Sequence, residues 1–324
     1  MIVLGMESSA HTFGVGIVDD GKMLANEKAM YKIGTTGMIP GEVARFHAEN
    51  AADVLGNALK KAGITPKEIE GVGYTMGPGL GPCLEVAELS AKTIAKKLGI
   101  PIVPVNHCAA HAEIARHFGK LSDPIMLYVS GGNSQILALE EKPHLHYSVL
   151  GETFDIGVGN MLDSFARKLK LKPAWGSSVE KHSQGGRYIE LPYTVKGMDF
   201  SFTGLATRAT ELIGKEKVSD LCFSIQETAF SALCEATERA MLLKNKREIG
   251  ICGGVAQNRK LKKMLKAMGE EHNARLGFAP DEFNADNGGM VAYLAERMIR
   301  SGIRSRLEDC GIRQRYRVDT ARLG

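Results

Sequence analysis

A chain of 324 residues suggests roughly two domains of ~150 residues each, and a hydrophobic fraction of 44% supplies two cores. Aromatics are only 6%, so those cores rest on Ile, Leu, Val, Met and Ala. No stretch approaches the ~20 unbroken apolar residues of a membrane span and no leader signature precedes the first strand pattern, so a soluble, cytoplasmic protein without a membrane partner is expected.

The chain opens with an apolar run, a small polar turn (Ser8, Ser9, Ala10, His11) and a second apolar run over residues 2–18, the pattern of a β-hairpin. Asp19-Asp20-Gly21 makes a turn, and residues 23–29 read as a third strand. Residues 33–41 form a loop. Residues 42–61 follow as a helix with Val54, Leu55, Ala58 and Leu59 on one stripe. That stripe suits either a docking face or packing inside its own lobe. After a helical turn at Thr65-Pro66, residues 71–75 form a strand. Met76-Gly77-Pro78-Gly79-Leu80-Gly81-Pro82 opens a helix over 85–98. Its amides either face an anion or make a plain strand-to-helix turn. A strand at 100–105 leads into a helix from His107.

Residues 125–139 repeat the opening pattern around Ser130-Gly131-Gly132-Asn133, whose bare amides suit a phosphate or an ordinary turn. The rest alternates: strand 146–150, helix 160–169, Gly/Pro loop 172–178, turn 199–204, long helix 219–244, strand 248–252, helix 258–268, strand 275–279 and helix 290–301. One such hairpin in each half predicts two similar α/β lobes, each offering its turn to a shared cleft. The lobes are expected at residues 1–124 and 125–301, with 302–324 packing back on the first.

A net charge of +4 does not announce a nucleic-acid binder, but its distribution is uneven. Eight arginines lie between Arg297 and Arg322, and Arg259, Lys260, Lys262, Lys263 and Lys266 form a second cluster. Each suits either a phosphate track or a solvated face. The six cysteines lack a C-x-x-C pair and read as buried thiols in a reducing compartment. His107 and His111 stand at i and i+4, so on a helix they share a face and suit one cation or two separate surface roles. Cys108 stands where H-E-x-x-H would place a general base, which argues against metalloprotease chemistry. Asp286, before the last helix, is an oxygen ligand or an N-cap. Tyr128, before the glycine turn, is a ligand or a packed aromatic.

These residues resemble one family, the tRNA threonylcarbamoyladenosine transferases, comprising the catalytic subunit of the KEOPS complex and the bacterial TsaD proteins, once called O-sialoglycoprotein endopeptidases. The resemblance is carried by Leu4-Gly5-Met6-Glu7 with Ala10-His11-Thr12, Met76 to Pro82, Pro104-Val105-Asn106-His107 to His111, Val129-Ser130-Gly131-Gly132, Asp199-Phe200-Ser201-Phe202, Gly253-Gly254-Val255-Ala256 and Ala285-Asp286-Asn287-Gly288. Bacterial members carry Asp-Glu where this chain has His11-Thr12, which points to the archaeal and eukaryotic branch. Ala174-Trp175-Gly176-Ser177 replaces the usual Pro-Gly-Gly-Pro.

The resemblance implies a two-lobed actin/Hsp70-like (ASKHA) fold of RNase H-like lobes. It implies one divalent metal, iron or zinc, on His107, His111, Tyr128 and Asp286. Threonylcarbamoyl-AMP would contact Tyr128, Val129, Ser130, Gly131, Gly132, Asp163, Gly176, Glu180 and Asn258, with Gly253-Gly254 beside the adenosine. His11 is the candidate proton acceptor. The implied activity moves a threonylcarbamoyl group to the exocyclic amine of the adenosine beside a tRNA anticodon. The implied partners are tRNA and the KEOPS subunits, a kinase-like ATPase and a small dimerising subunit. The rival readings are a sugar kinase or other ATPase of the same fold, a metallopeptidase, and a non-catalytic scaffold. Neither an ATPase nor a kinase calls for paired histidines with Asp286.

Overall fold

The computed structural model describes residues 1–32 and 38–324, so the expected loop at 33–41 lies partly outside the described residues. The chain forms two α/β units. The first comprises Met1–Ile114, Glu140–Tyr147 and Ala285–Gly324, and the second Ala115–Leu139 and Ser148–Asn284.

The first unit begins with strands β1 (Ile2–Glu7), β2 (Thr12–Asp19) and β3 (Lys22–Met30), then helix α1 (Pro40–Ala62), β4 (Gly71–Gly77), α2 (Gly81–Leu98), β5 (Ile102–Asn106) and the start of α3 (His107–Phe118). Its sheet has the order β3-β2-β1-β4-β5. β1 runs antiparallel to β2 and parallel to β4, and β4 runs parallel to β5. The C-terminal ends of β1, β4 and β5 therefore share one edge, where α/β sheets usually carry their chemistry.

The second unit repeats this plan. It contains β6 (Ile125–Val129), β7 (Ser134–Glu140), β8 (His146–Glu152), α4 (Val158–Lys168), α5 (Gly176–His182), a small pair β9 (Val195–Lys196) and β10 (Asp199–Phe200), α6 (Thr203–Glu211), α7 (Val218–Leu243), β11 (Glu248–Cys252), α8 (Arg259–Glu271), β12 (Arg275–Phe278) and α9 (Asp281–Asn284). Its sheet order, β12-β11-β6-β7-β8, mirrors that of the first. β6 is antiparallel to β7 and parallel to β11. The two hairpins read from the sequence thus occupy equivalent places in two lobes of an actin/Hsp70-like fold.

The last helix, α10 (Gly288–Arg300), requires a correction. The expected second lobe ran to residue 301, but α10 belongs to the first unit. It lies directly on β1 and β2, which Gly5, Gly14 and Gly16 make possible. A Cβ on Gly5 would fall 2.0 Å from the Ala292 nitrogen, and one on Gly16 2.3 Å from that of Gly289. α10 is buried over most of its length, Glu296 included, with only Arg297 partly and Arg300 fully exposed.

One further local expectation changes and two open alternatives resolve. The end of the expected loop 172–178 and the end of the expected turn 199–204 are already helical, in α5 (Gly176–His182) and α6 (Thr203–Glu211). In α1, Val54 and Ala58 are buried and Leu55 and Leu59 pack against the first unit's core, so that stripe is internal. In the Met76–Pro82 segment, the Gly79 N–H donates to the Gln314 carbonyl and the Leu80 N–H to that of Ser9. Those two amides hold the turn to its own unit rather than facing an anion. No helix among the described residues is long and apolar enough to cross a membrane. All six cysteines are buried, and no disulfide occurs among the described residues.

Candidate metal centre and phosphate turn

The edge of the first sheet brings four chemistry-bearing side chains together. β5 ends at Asn106, whose side-chain oxygen accepts the Ala109 N–H and starts α3. His107 and His111 then project from one face of that helix, with ring centroids 4.7 Å apart. Asp286 arrives from the turn before α10. The adjacent Asn287 supplies the N-cap, its Oδ1 accepting the Met290 N–H, so Asp286 is not spent on capping. Asp286 Oδ1 lies 3.2 Å from His111 Nε2 and 3.6 Å from His107 Nε2. Ligand atoms of the three residues lie within 4.8 Å of one another. Two imidazoles and one carboxylate in a mostly buried setting form a donor set that zinc and ferrous iron both accept.

Glu7 is the residue that sequence reasoning left without a role. It is wholly buried at the end of β1, beside Thr75 at the end of β4. Its Oε1 accepts the Ser9 N–H at 2.6 Å. Its Oε2 accepts the Thr75 hydroxyl at 2.6 Å and faces His107 Nδ1 at 3.0 Å. The available signal was a lone acid closing an otherwise apolar strand. Burial disfavours the Glu7 carboxylate, but the charge and hydrogen bond of His107 hold it below its usual range. Burial likewise opposes the charged form of His107, yet Glu7 and then Asp286 push its pKa up to about 9. Burial keeps His111 below its ordinary value. For Asp286, burial is overcome by the His111 hydrogen bond and the charges of His107, His111 and His11, which hold it well below the carboxylate range.

His11 is half-buried in the turn after β1, near enough to Asp286 to act on its charge. A second histidine, His47 on α1, is fully buried between Phe13 and Phe46. Burial drives its pKa down to about 4, with the nearby His11 backbone only partly opposing.

The remaining expected residues belong to the second unit. Tyr128, at the end of β6, is 1% exposed. The turn after Val129 is pinned at its ends, where the Ser130 N–H donates to the Asn133 carbonyl and the Asn133 N–H to Ser130 Oγ. The N–H groups of Gly131 and Gly132 have no acceptor among the described residues. The start of α4 closes on this turn, the Gly159 and Asn160 N–H groups donating to the Ser130 and Gly131 carbonyls. Gly253 packs on the same turn at φ 92°, where a Cβ would fall 2.3 Å from the Val129 carbonyl. Asp163 Oδ1 accepts the Gly176 N–H at 2.7 Å, and Glu180 Oε1 accepts the Arg259 N–H at 2.9 Å. Asn258 caps α8, accepting from Lys260 and Leu261 N–H while donating to Gln226 Oε1. Val129 to Gly132, Asp163, Gly176, Glu180, Gly253, Gly254 and Asn258 thus all fall within one unit.

The sequence model of the tRNA N6-adenosine threonylcarbamoyltransferase family matches residues 22–293. The chain is 46% identical over 322 residues to the tRNA N6-adenosine threonylcarbamoyltransferase of Thermococcus sibiricus, covering 98% of each. The chain belongs to this family. A relative of the same description from Rattus norvegicus is 44% identical over 328 residues, covering 98% of this chain and 97% of its own. Archaeal and eukaryotic members are thus both close, and the chain is a transferase. Among solved structures, HypF from T. kodakarensis superposes with a TM-score of 0.64 at 17% identity, covering 93% of this chain and 48% of its own, a likeness of fold.

The basic clusters are more self-satisfied than their sequence suggested. Lys260 pairs with Glu227, Lys262 with Asp281 and Lys266 with Glu270. Arg297, Arg300, Arg306 and Arg317 pair with Glu113, Glu296, Asp309 and Asp319. Arg304, Arg313, Arg315 and Arg322 are exposed and make no ion pair among the described residues.

Proposed function

We propose that the chain transfers the threonylcarbamoyl group of threonylcarbamoyl-AMP to the exocyclic amine of the adenosine beside the anticodon of a tRNA, as the catalytic subunit of a KEOPS complex. The observation that carries this reading is the meeting of His107, His111 and Asp286 within 4.8 Å in a chain that belongs to the transferase family. These three residues would hold one divalent ion, iron or zinc, with Tyr128 as a further oxygen ligand. When bound, the ion supplies Lewis acidity at the carbonyl under attack and a template for the threonylcarbamoyl group.

The chain's own residues do the rest. The amides of Gly131 and Gly132, with Ser130, hold the phosphate of the adenylate, so the leaving AMP is stabilised by fixed dipoles. Asp163 and Glu180, each held through one oxygen by a backbone N–H, are the residues assigned to the ribose hydroxyls. Gly253 and Gly254 offer bare backbone to the adenosine. Asn258 acts there as the cap that fixes α8. His11 accepts the proton released when the amine forms its new bond to carbon. The exposed Arg304, Arg313, Arg315 and Arg322 contribute to a phosphate track. A net charge of +4 is small for a whole tRNA, so a kinase-like ATPase and a small dimerising subunit supply much of the grip.

The test is single-turnover transfer from purified threonylcarbamoyl-AMP to tRNA, read by nucleoside mass spectrometry, with and without the partner subunits across a salt series. Modified adenosine that requires the metal and rises with partners is expected. ATP turnover without transfer would replace this reading with an ATPase of the same fold, and equal rates in both arms would remove the partners.

A further inference from the structure

We infer that Glu7 is a positioning residue for the metal centre, holding His107 in the tautomer whose Nε2 lone pair points at the shared cation position. This rests on the metal part of the proposed function and adds a residue to it.

A wholly buried carboxylate in the apolar strand Ile2–Glu7 costs several kcal/mol in desolvation unless its surroundings compensate. At Glu7 they do so with three contacts: the Ser9 N–H, the Thr75 hydroxyl and His107 Nδ1. The first two fix the carboxylate in place. β1 and β4 are neighbouring parallel strands, paired through Met6 and Tyr74 one residue earlier, so Glu7 and Thr75 stand side by side. The third contact faces the metal ligand.

An ionised carboxylate only accepts hydrogen bonds, so the 3.0 Å contact requires the proton to sit on His107 Nδ1. In the neutral ring that leaves the lone pair on Nε2, the nitrogen 3.6 Å from Asp286 Oδ1. Ser9 Oγ lies 3.3 Å from the same Nδ1 and completes the cradle. A bound cation would complete a carboxylate, histidine, cation series, in which the outer carboxylate orients the ring and raises its basicity. The hydrogen-bonding side chains of this cradle come from the end of β1 (Glu7), the turn after it (Ser9) and β4 (Thr75). It therefore ties the turn that carries His11 to the ring that faces the cation position.

Glu7→Gln tests this with nearly unchanged shape. The glutamine oxygen still accepts the Ser9 N–H, but its amide now points a donor at His107 Nδ1. The ring proton must move to Nε2, where it blocks ligation. With chelator-buffered Zn2+ at about pH 10, above the His107 pKa, where a second proton competes little for the ring, Glu7→Gln should bind about 10–100-fold more weakly than wild type. Nitrogen-15 spectra of the metal-free protein at about pH 10, assigned with His107→Ala, should show an Nδ1–H tautomer in wild type and an Nε2–H tautomer in Glu7→Gln. Equal Zn2+ affinity in the two proteins overturns the inference while leaving the metal centre standing. An Nε2–H tautomer in wild type also overturns it, and needs no variant to fold. Wild type that fails to bind Zn2+ overturns both this and the metal reading beneath it.

Discussion

Gly16→Ala should remove the metal without touching a ligand. The new Cβ would stand 2.3 Å from the Gly289 nitrogen and 2.4 Å from the Gly288 carbonyl carbon, both backbone atoms at the start of α10. Non-bonded atoms prefer about 3.5–4.0 Å, so the helix must retreat by roughly 1 Å. Overpacking of this kind costs about 1–3 kcal/mol. Asp286 lies two residues before Gly288 and moves with it, whereas ligand distances tolerate only about ±0.2 Å. Elemental analysis after metal reloading should show at least about tenfold less bound ion, a loss of about 1.4 kcal/mol or more in binding. Thermal unfolding of the metal-free protein should shift downward in parallel. Gly56→Ala, in α1 with nothing within 4 Å of its added Cβ, is the control and should stabilise the chain by up to about 1 kcal/mol. Unchanged unfolding and full metal content in Gly16→Ala would refute the tight helix-on-sheet account.

His47 should make the chain acid-sensitive. Its pKa falls from 6.5 to about 4 on folding, so the folded state binds fewer protons in between, and stability present above 6.5 is lost as pH drops through that window. The shift is worth at most about 3 kcal/mol at ~1.4 kcal/mol per unit, and His47→Phe should flatten the fall in unfolding temperature between pH 6.5 and about 4. An identical slope in that variant would remove His47 from the account. Replacing both His107 and His111 with Ala should abolish stoichiometric metal by elemental analysis, and full occupancy would disprove the shared site. Trp175, the single tryptophan and 39% exposed beside Gly176, should change its fluorescence saturably with adenine nucleotide. Binding seen by calorimetry with a silent Trp175 would place the nucleotide elsewhere.

The duplicated hairpins were legible because glycine and small polar turns between apolar runs mark strand reversals whatever surrounds them. Helices α5 and α6 were not. Gly176-Ser177-Ser178 and Thr203-Gly204 are poor helix formers, and each segment is helical because tertiary burial of residues such as Val179 and Leu205 overrides local preference. The lobe holding α10 was misread by following sequence order. The clue lay far upstream, in Gly5, Gly14 and Gly16 on β1 and β2, which leave room for a helix that sequence order alone does not identify. At the candidate centre, the i, i+4 histidines announced themselves. Asp286 was ambiguous until Asn287 was seen to take the capping role. Glu7 carried no legible role because its meaning depends on Thr75 and His107, which the fold supplies from β4 and α3.

The route of the chain through its first unit sets an order of assembly. The chain leaves that unit after Ile114 and, apart from Glu140–Tyr147, returns only at Ala285. On a ribosome, Asp286 follows His111 by 175 residues. At about 5–20 residues per second, the paired imidazoles wait roughly 10–35 s for their carboxylate. During that interval the second unit, from Ala115 to Asn284 with one excursion, is already available to fold. The nascent first unit meanwhile lacks the helix that covers β1 and β2. Of the three-residue group it then holds only the two imidazoles. A ribosome stalled before Asp286 leaves a product unable to complete the three-residue group.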